Sequence, residues 1–166
     1  MYTIDQLKNN LLCGNCFEIM SNMPPNCVDA IITDIPYNVS KEGGNSIQFY
    51  EREDMKLSFG DWDIGFQVQP FLELSKRVLR HSGNFITFCS FKQFGQIFEW
   101  CDKNFDRVNC IVWHKTNPMP QVRKTGFVSS VEFIVAAYNL PHTFNFKKQT
   151  EMHNFIVTYG EDLYHK

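Results

Sequence analysis

The chain has 166 residues, of which 43% are hydrophobic and 15% aromatic, and its formal net charge is -2 at pH 7. This composition excludes a disordered or fibrous protein and predicts a single folded domain over residues 1–166. The charge provides no overall basic field, so binding to nucleic acid would require a local basic patch.

The sequence shows no signal for crossing or leaving a membrane. No apolar run reaches the roughly 18 residues of a transmembrane helix, and the amino terminus lacks the charged and apolar regions of an export signal. The six cysteines are scattered, as in reduced cytosolic proteins. We therefore expect a cytoplasmic protein without a membrane partner and without a disulfide framework.

The first predicted unit is a short apolar strand over residues 11–16, broken by Gly14 and followed by a helix over residues 17–23. Cys13 and Cys16 form a Cys-x-x-Cys pair, which is typical of redox sites and of half a zinc site. A zinc site needs a second pair at matching spacing, and the other cysteines do not provide one. We predict no metal, and a redox protein with a low thiol pKa remains an alternative hypothesis.

The central feature is an apolar strand that runs into a carboxylate. Residues 30–32 are an apolar, partly β-branched run, typical of a strand covered on both faces. Pro36 ends the strand because proline has no N–H for the hydrogen-bond ladder. Asp34 and Tyr37 are therefore expected at the carboxyl end of a strand, where ligands bind in open α/β sheets.

Asp34-Ile35-Pro36-Tyr37 resembles the Asp-Pro-Pro-Tyr motif of amino-group DNA methyltransferases. These site-specific enzymes, known from restriction-modification, transfer a methyl group from S-adenosylmethionine to adenine N6 or cytosine N4. The resemblance implies that the Asp34 carboxylate and the Ile35 carbonyl accept the hydrogens of the target amine. Pro36 would fix the turn, and Tyr37 would stack on a base flipped out of the duplex.

Two departures from the family pattern accompany this resemblance. Ile35 replaces the first proline, although Pro36 still biases it towards an extended backbone. The family commonly reads Gly-Asp-Cys beside the adenosine of the cofactor, where this chain has Asn15 and Cys16. The resemblance thus implies cofactor contacts for Asn15, Cys16 and Asp34. The acidic residue at position 34 favours adenine, because cytosine-N4 enzymes usually carry serine there.

Residues 38–63 are polar, contain three glycines and lack periodicity, which predicts a long loop. Such a loop closes over a flipped base or is an ordinary surface loop. Its last residues, Phe59-Gly60-Asp61-Trp62-Asp63, resemble the Phe-Gly-Glu-Trp-Asp string that follows the catalytic motif in one branch of adenine methyltransferases.

Strands and helices alternate over the next part of the chain. Helical spacing predicts a helix over residues 70–80 that ends before Gly83, then a strand over 84–90 and a helix over 94–104. This order predicts a right-handed, parallel arrangement. Two further strands are expected to pair antiparallel, and residues 141–166 to form a polar tail. The predicted fold is α/β: a partial Rossmann-like methyltransferase sheet, mostly parallel, with an antiparallel hairpin at its C-terminal side formed by residues 107–115 and 130–138.

The hairpin loop over residues 116–129 is rich in amides and basic side chains. Trp113, Lys115, Asn117, Pro118 and Pro120 match a Trp-x-Lys-x-Asn-Pro-x-Pro string of the same branch. Basic side chains suit phosphates and amides suit base edges. The predicted DNA contacts are Lys115, Asn117, Gln121, Arg123 and Lys124, and the alternative is an ordinary solvated hairpin.

The cofactor half of the family is missing from this sequence. In the same branch, a Thr-Gln-Lys-Pro segment and a Phe-x-Gly-x-Gly strand follow the catalytic half, and the nine glycines here include no Gly-x-Gly pair. The resemblance thus implies a truncated domain whose Asp34 strand has an open edge. Such an edge pairs with a second copy in a homodimer or with a complementary chain that carries the cofactor half. The alternative is a truncated relic of a methyltransferase.

Two functions fit these observations. The first is the catalytic half of an adenine-N6 DNA methyltransferase, which alone would bind S-adenosylmethionine weakly and turn over little. The second is a non-catalytic DNA-binding or assembly subunit that kept the fold and lost the cofactor site.

Overall fold

The computed structural model describes residues 1–38, 46–49, 52–56, 63–118, 120 and 126–158, with the backbone alone for 46–49 and 52–56. The elements follow in the order α1 (Ile4–Leu7), α2 (Cys16–Ser21), β1 (Val28–Asp34), β2 (Ser46–Phe49), β3 (Arg52–Lys56), α3 (Val68–Val78), β4 (Leu79–Cys89), α4 (Phe91–Asn104), β5 (Arg107–Lys115), β6 (Val131–Tyr138), a 3-10 helix (Gln149–Met152) and β7 (Phe155–Thr158).

Five strands form one sheet in the order β1-β4-β6-β5-β7. β1 is parallel to β4, β6 is antiparallel to both β4 and β5, and β7 is parallel to β5. Four of the five strands therefore run in one direction, and β6 alone is reversed. This arrangement confirms the predicted α/β fold, with its mostly parallel sheet and its antiparallel β5–β6 hairpin.

The core lies between the sheet and the helices α3 and α4. α3 buries Phe71, Leu72 and Val78, which recur at helical spacing, and α4 buries Ile97 and Cys101. Phe71, Leu72, Ile97 and Cys101 pack in one cluster with alternate residues of β4 and β6. The amphipathic helices predicted over residues 70–80 and 94–104 are confirmed, with α3 beginning two residues earlier and α4 three residues earlier than expected.

β1 is not covered on both faces, so that prediction was wrong. Val28 and Ile31 pack against the core, whereas Ile32 is 71% exposed. The reason is that α3 and α4 build a single core, and no described element covers the face that carries Ile32. β1 pairs with β4 alone in the described part of the chain, so its other edge is open, as the sequence predicted.

Residues 11–16 do not form a strand, contrary to expectation: Cys16 begins α2, and Leu11 is 98% exposed. A strand is stable only when a neighbouring strand pairs with its backbone, and no described strand lies beside this segment. The helix after it is confirmed as α2, which begins directly after Asn15.

Two segments expected to be irregular contain strands. Within residues 38–63, β2 and β3 form a separate antiparallel pair. Within residues 141–166, β7 pairs with the outer edge of β5. Residues 155–158 are all β-branched or aromatic, a composition that favours a strand where an open edge is available.

Gly83 lies inside β4 and does not mark the end of a helix. α3 ends at Val78 and β4 begins at Leu79, five residues before the predicted strand. A Cβ atom at Gly83 would lie 2.8 Å from the Asp29 carbonyl oxygen and 2.7 Å from a Leu79 methyl carbon. The glycine therefore permits the close approach of β4 to β1, where the register shifts.

No helix in the described residues is long and apolar enough to span a membrane.

Candidate active site

Asp34 is the last residue of β1, and the turn over residues 35–38 follows it at the sheet edge. The Asp34 carboxylate is exposed, and no ion pair involves it in the described part of the chain. It lies close enough to the Tyr37 hydroxyl to raise the pKa of that phenol. The carboxylate is therefore accessible from solvent and adjacent to an aromatic ring.

Tyr37 is held between two carboxylates. Its hydroxyl donates to Glu132 Oε2 at 3.4 Å, across 95 residues of sequence. Burial raises the pKa of Tyr37 above its ordinary value, and the nearby carboxylates of Asp34 and Glu132 raise it further. The phenol thus keeps its proton at neutral pH and acts as a hydrogen-bond donor.

Ile35, which departs from the proline of the family motif, is 4% exposed and belongs to the hydrophobic core cluster. Burial of the Ile35 side chain therefore anchors the turn. A proline ring would instead fix the turn by restricting the backbone. The backbone of Ile35 remains part of the turn beside Asp34.

The carbonyl of Pro36 is held by the first turn of α4. Gln93 Nε2 donates to the Pro36 oxygen at 2.8 Å, and Gln93 Oε1 accepts from the backbone N–H and the hydroxyl of Ser90. Gln93 is buried and completes a capping box with Ser90. The predicted turn is thus fixed by a side chain that the motif alone does not identify.

Asn38 closes the turn from the other side. Its backbone N–H donates to Asp63 Oδ1 at 2.9 Å, its Nδ2 donates to the Phe66 carbonyl at 3.0 Å, and its Oδ1 accepts from the Phe66 N–H at 2.8 Å. Asn38 has a φ of +53°, which asparagine tolerates better than most residues. Sequence reasoning missed this role, although Asp63 ends the string that resembles Phe-Gly-Glu-Trp-Asp.

A cavity of about 560 Å³ lies beside Tyr37. It is bounded by the end of β4, the start of α4 and the start of β6, and Asp34 is not part of its lining. Aromatic and polar groups share the wall, with the rings of Phe91 and Phe133 6.1 Å apart. The lining residues are Tyr37, Cys89, Ser90, Phe91, Ser129, Val131, Glu132 and Phe133.

Cys89 in this wall is a neutral thiol. Burial raises its pKa to about 12, so the thiolate that nucleophilic or metal chemistry requires is not formed at neutral pH. The described residues contain no group of three His, Cys, Asp or Glu side chains able to hold a metal ion.

Lys115, predicted to contact DNA, forms an ion pair with Glu132. Its ammonium also lies 5.8 Å from the centroid of the Trp113 ring. The structure thus places Lys115 beside Glu132, the hydrogen-bond partner of Tyr37. Asn117 is exposed in the hairpin loop. The remaining predicted DNA contacts, Gln121, Arg123 and Lys124, lie outside the described residues.

The predicted cofactor residues Asn15 and Cys16 lie at the start of α2. Asn15 Oδ1 accepts from the Phe17 N–H at 2.9 Å and caps the helix. Asparagine and aspartate are equally good caps, so the departure from Gly-Asp-Cys preserves the local structure. Cys16 is exposed, as is Cys13. No described hydrogen bond connects this segment to Asp34, so the shared cofactor role stays a prediction.

Comparison with known proteins places this geometry in context. Residues 28–160 match the profile of the family N6_N4_Mtase, described as DNA methylase. The chain is 28% identical over 155 residues to the type II methyltransferase M2.MboI of Moraxella bovis, covering 86% of this chain and 55% of that protein. It is also 28% identical to the type II methyltransferase M.HinfI of Haemophilus influenzae, covering 87% and 43%. The chain thus spans about half the length of these relatives.

Solved structures show the same fold at low identity. The M1.HpyAVI crystal structure matches with a TM-score of 0.56 and 23% identity, covering 86% of this chain and 62% of that one. A complex of M1.HpyAVI with SAM gives a TM-score of 0.51 over 80% of this chain and 55% of that one, at 24% identity. The PvuII DNA methyltransferase, described as cytosine-N4-specific, gives 0.51 at 12% identity, covering 87% and 55%.

Proposed function

We propose that this chain, which belongs to the DNA methylase family N6_N4_Mtase, supplies the active-site residues that transfer a methyl group from S-adenosylmethionine to the exocyclic amine of adenine in DNA. The observation that carries the proposal is the accessible Asp34 carboxylate at the end of β1, adjacent to Tyr37 and its cavity. Carboxyl ends of strands are the usual ligand-binding edge of such sheets.

The chemistry accounts for the residue types. The lone pair of an exocyclic amine is delocalised into the base, so the amine is a weak nucleophile. The Asp34 carboxylate and the Ile35 carbonyl accept hydrogen bonds from the two N–H groups of this amine and so favour a tetrahedral nitrogen. S-adenosylmethionine would supply the methyl group: its S–CH3 bond would break as the N–CH3 bond forms, S-adenosylhomocysteine would leave, and the amine would lose one proton to water. Such an in-line displacement depends mainly on positioning.

Tyr37 supports this reaction by stacking. A base that reacts at its amine must leave the duplex, and an aromatic face replaces part of the lost stacking. The cavity beside Tyr37, with its aromatic and polar walls, has the mixed character of a base-binding pocket. Because Asp34 is acidic, we assign adenine N6 as the target.

The product nucleoside tests this proposal. DNA treated with the chain, a cofactor-binding partner half and tritiated S-adenosylmethionine is hydrolysed to nucleosides, and the label is identified by chromatography. Label in N6-methyl-2′-deoxyadenosine supports the proposal. Label in N4-methylcytosine would retain the amine chemistry and overturn the choice of base, and label on carbon 5 of cytosine would overturn both.

We also propose that these 166 residues act with a cofactor-binding half, which pairs with the open edge of β1 and can be supplied in the assay as a complementary polypeptide. The chain spans about half the length of its curated relatives and has no Gly-x-Gly pair. β1 has an open edge in the described structure, with Ile32 exposed on its face, and an added strand would pair with it. Asn15, Cys16 and Asp34 would then contact the cofactor from this side.

Two measurements on the isolated chain test this arrangement. Isothermal titration with S-adenosylmethionine should show weak binding, and micromolar affinity would overturn the need for a second half. Size-exclusion chromatography with light scattering should show a monomer that is converted to a heterodimer by the partner. A stable homodimer would show that a second copy of this chain, and not a complementary chain, pairs with the open edge of β1.

The missing Gly-x-Gly pair also favours a second candidate, a non-catalytic DNA-binding or assembly subunit. Asp34→Ala separates the two functions in the reconstituted system. If the chain is part of an enzyme, Asp34→Ala should abolish methyl transfer. If it is a DNA-binding subunit, the protein without the substitution shows no transfer, and Asp34→Ala leaves its affinity for DNA unchanged.

A further inference from the structure

We propose that Glu132 is a positioning residue that binds the Tyr37 hydroxyl and so leaves the Asp34 carboxylate available to the target amine. Lys115 serves this arrangement by neutralising Glu132, and we infer that it does not contact DNA phosphates. The inference deepens the proposed function, because it rests on the assignment of Tyr37 as the stacking residue and Asp34 as the acceptor.

The carboxylate of Glu132 uses its two oxygens for two different partners. Oε2 accepts from the Tyr37 hydroxyl at 3.4 Å, and Oε1 is bound by the ammonium of Lys115. The side chains of Glu132 and Lys115 are 23% and 33% exposed, so both charges are partly removed from water. A charge in this position requires a partner, and each residue provides it for the other.

The β5–β6 hairpin builds this pair. Glu132 lies directly opposite Trp113 in the antiparallel register, and Lys115 is two residues further along β5. Residues two apart share one face of a strand, so Lys115 is the diagonal neighbour of Glu132. The rigid sheet thus fixes Glu132, whereas Tyr37 is in a turn.

The competition between two carboxylates gives the pair its function. The Tyr37 hydroxyl has a single hydrogen, which Glu132 accepts at 3.4 Å. The Asp34 carboxylate also lies close enough to that hydroxyl to influence its pKa. When the hydroxyl donates to Glu132, the oxygens of Asp34 remain available to the amine. If Glu132 is removed, the hydroxyl donates to Asp34 and occupies an acceptor that the reaction needs. The same hydrogen bond orients the ring for stacking.

A fluorescent base tests the positioning role without requiring methyl transfer. The probe is a single-stranded oligothymidylate with one central 2-aminopurine, whose fluorescence is quenched on stacking and which needs no flipping from a duplex. The full chain should quench it, and Tyr37→Ala should abolish quenching. Glu132→Ala should weaken probe binding about threefold or more, a loss comparable to one neutral hydrogen bond.

A double-mutant cycle shows whether Glu132 acts through Tyr37. In the Tyr37→Phe background, Glu132→Ala should have no additional effect, because the hydroxyl is already absent. Glu132→Gln retains an acceptor for the hydroxyl and should recover most of the binding. The matched control is Glu99→Gln, which alters an exposed carboxylate paired with Lys103 and should bind the probe as the wild type does.

The results separate the two proposals. If the wild type quenches and Tyr37→Ala does not, while Glu132→Ala behaves as the wild type, the positioning role is overturned and the stacking role stands. If the wild type does not quench, the stacking role fails and the positioning role fails with it.

The role of Lys115 has its own readout. A lysine that contacts a phosphate changes the salt dependence of binding, and its removal reduces the slope of log K against log salt by about one. Lys115→Met should leave that slope unchanged for oligothymidylate. A slope reduced by about one would show a phosphate contact and overturn this part of the inference.

Discussion

Gln93 Nε2 donates a hydrogen bond of 2.8 Å to the carbonyl oxygen of Pro36. This bond connects the first turn of α4 to the turn after β1, although 57 residues separate the two partners. The same side chain also accepts from Ser90. The candidate active site is therefore held by the helix that packs on the sheet, in addition to its own proline.

Replacing Gln93 should destabilise the fold. Gln93→Ala leaves the Pro36 carbonyl and the Ser90 N–H without their buried partner, at a cost of about 1 to 3 kcal/mol in the free energy of unfolding. Urea denaturation followed by circular dichroism measures the change. Gln96→Ala, an exposed position on the same helix, is the matched control and should change stability by less than about 0.5 kcal/mol. Equal effects of the two substitutions would contradict the assigned role.

Asn38 should contribute through its side chain as well as its backbone. Asn38→Gly permits the positive φ but removes the two side-chain hydrogen bonds to Phe66, so stability should fall by about 1 to 3 kcal/mol. Asn26→Gly is the control, because Asn26 has a φ of +52° and no side-chain hydrogen bond in the described structure. It should unfold at nearly the urea concentration of the wild type. An equal loss of stability in both variants would show that the loss comes from placing glycine at a positive φ and not from the two side-chain hydrogen bonds of Asn38.

The two glycines of β4 and α4 should respond to alanine in opposite directions. Gly83→Ala places a Cβ 2.8 Å from the Asp29 carbonyl oxygen, and relief of this clash costs about 1 to 3 kcal/mol. Gly95→Ala meets nothing within 4 Å in α4 and should stabilise the chain by about 1 kcal/mol through helix propensity. Thermal denaturation of both variants measures the effects, and stabilisation by Gly83→Ala would refute the close strand approach.

The buried thiols predict a loss of stability at alkaline pH. Burial raises the pKa of Cys89 and Cys101 from 9.0 to about 12. Thiolates therefore form first in the unfolded chain, so the contribution is fully present below pH 9 and is lost as pH rises towards 12. The slope should approach about 1.4 kcal/mol per pH unit for each thiol.

Urea midpoints measured across this alkaline range test the prediction. Cys101→Ala should flatten the decline, whereas Cys13→Ala, which alters an exposed thiol, should not. A decline of the same slope in both variants would assign the alkaline transition to other groups.

Patterns of apolar residues predicted the sheet and its helices because they record which faces are buried. The spacing of Phe71, Leu72 and Val78 gave α3, and the antiparallel pairing of residues 107–115 with 130–138 followed from two apolar runs around a turn-rich loop. β7 was missed because its stability depends on the available edge of β5. Residues 11–16 were misassigned because a strand is stable only beside another strand, and the described structure provides none there.

The motif turn was located from sequence because its residue types are unusual after a strand. The side chains that hold this turn were not located from sequence. Gln93 is 57 residues from Pro36, and Glu132 is 95 residues from Tyr37. Each also fits the pattern of its own helix or strand, so nothing in the local sequence indicates the distant partner. From sequence, Gln93 is expected only to cap α4, and Glu132 is expected only to be an ordinary residue of β6. Long-range hydrogen bonds of this kind leave no periodic signal.

Asp34 is the residue on which the proposed chemistry depends most. The most direct measurement is the rate of tritiated methyl transfer to DNA by the reconstituted protein, comparing wild type with Asp34→Ala at equal cofactor occupancy. The account predicts a loss of about 100-fold or more, as for removal of a group that stabilises the transition state, with the urea midpoint unchanged because Asp34 is exposed. Transfer at the wild-type rate by Asp34→Ala would contradict it.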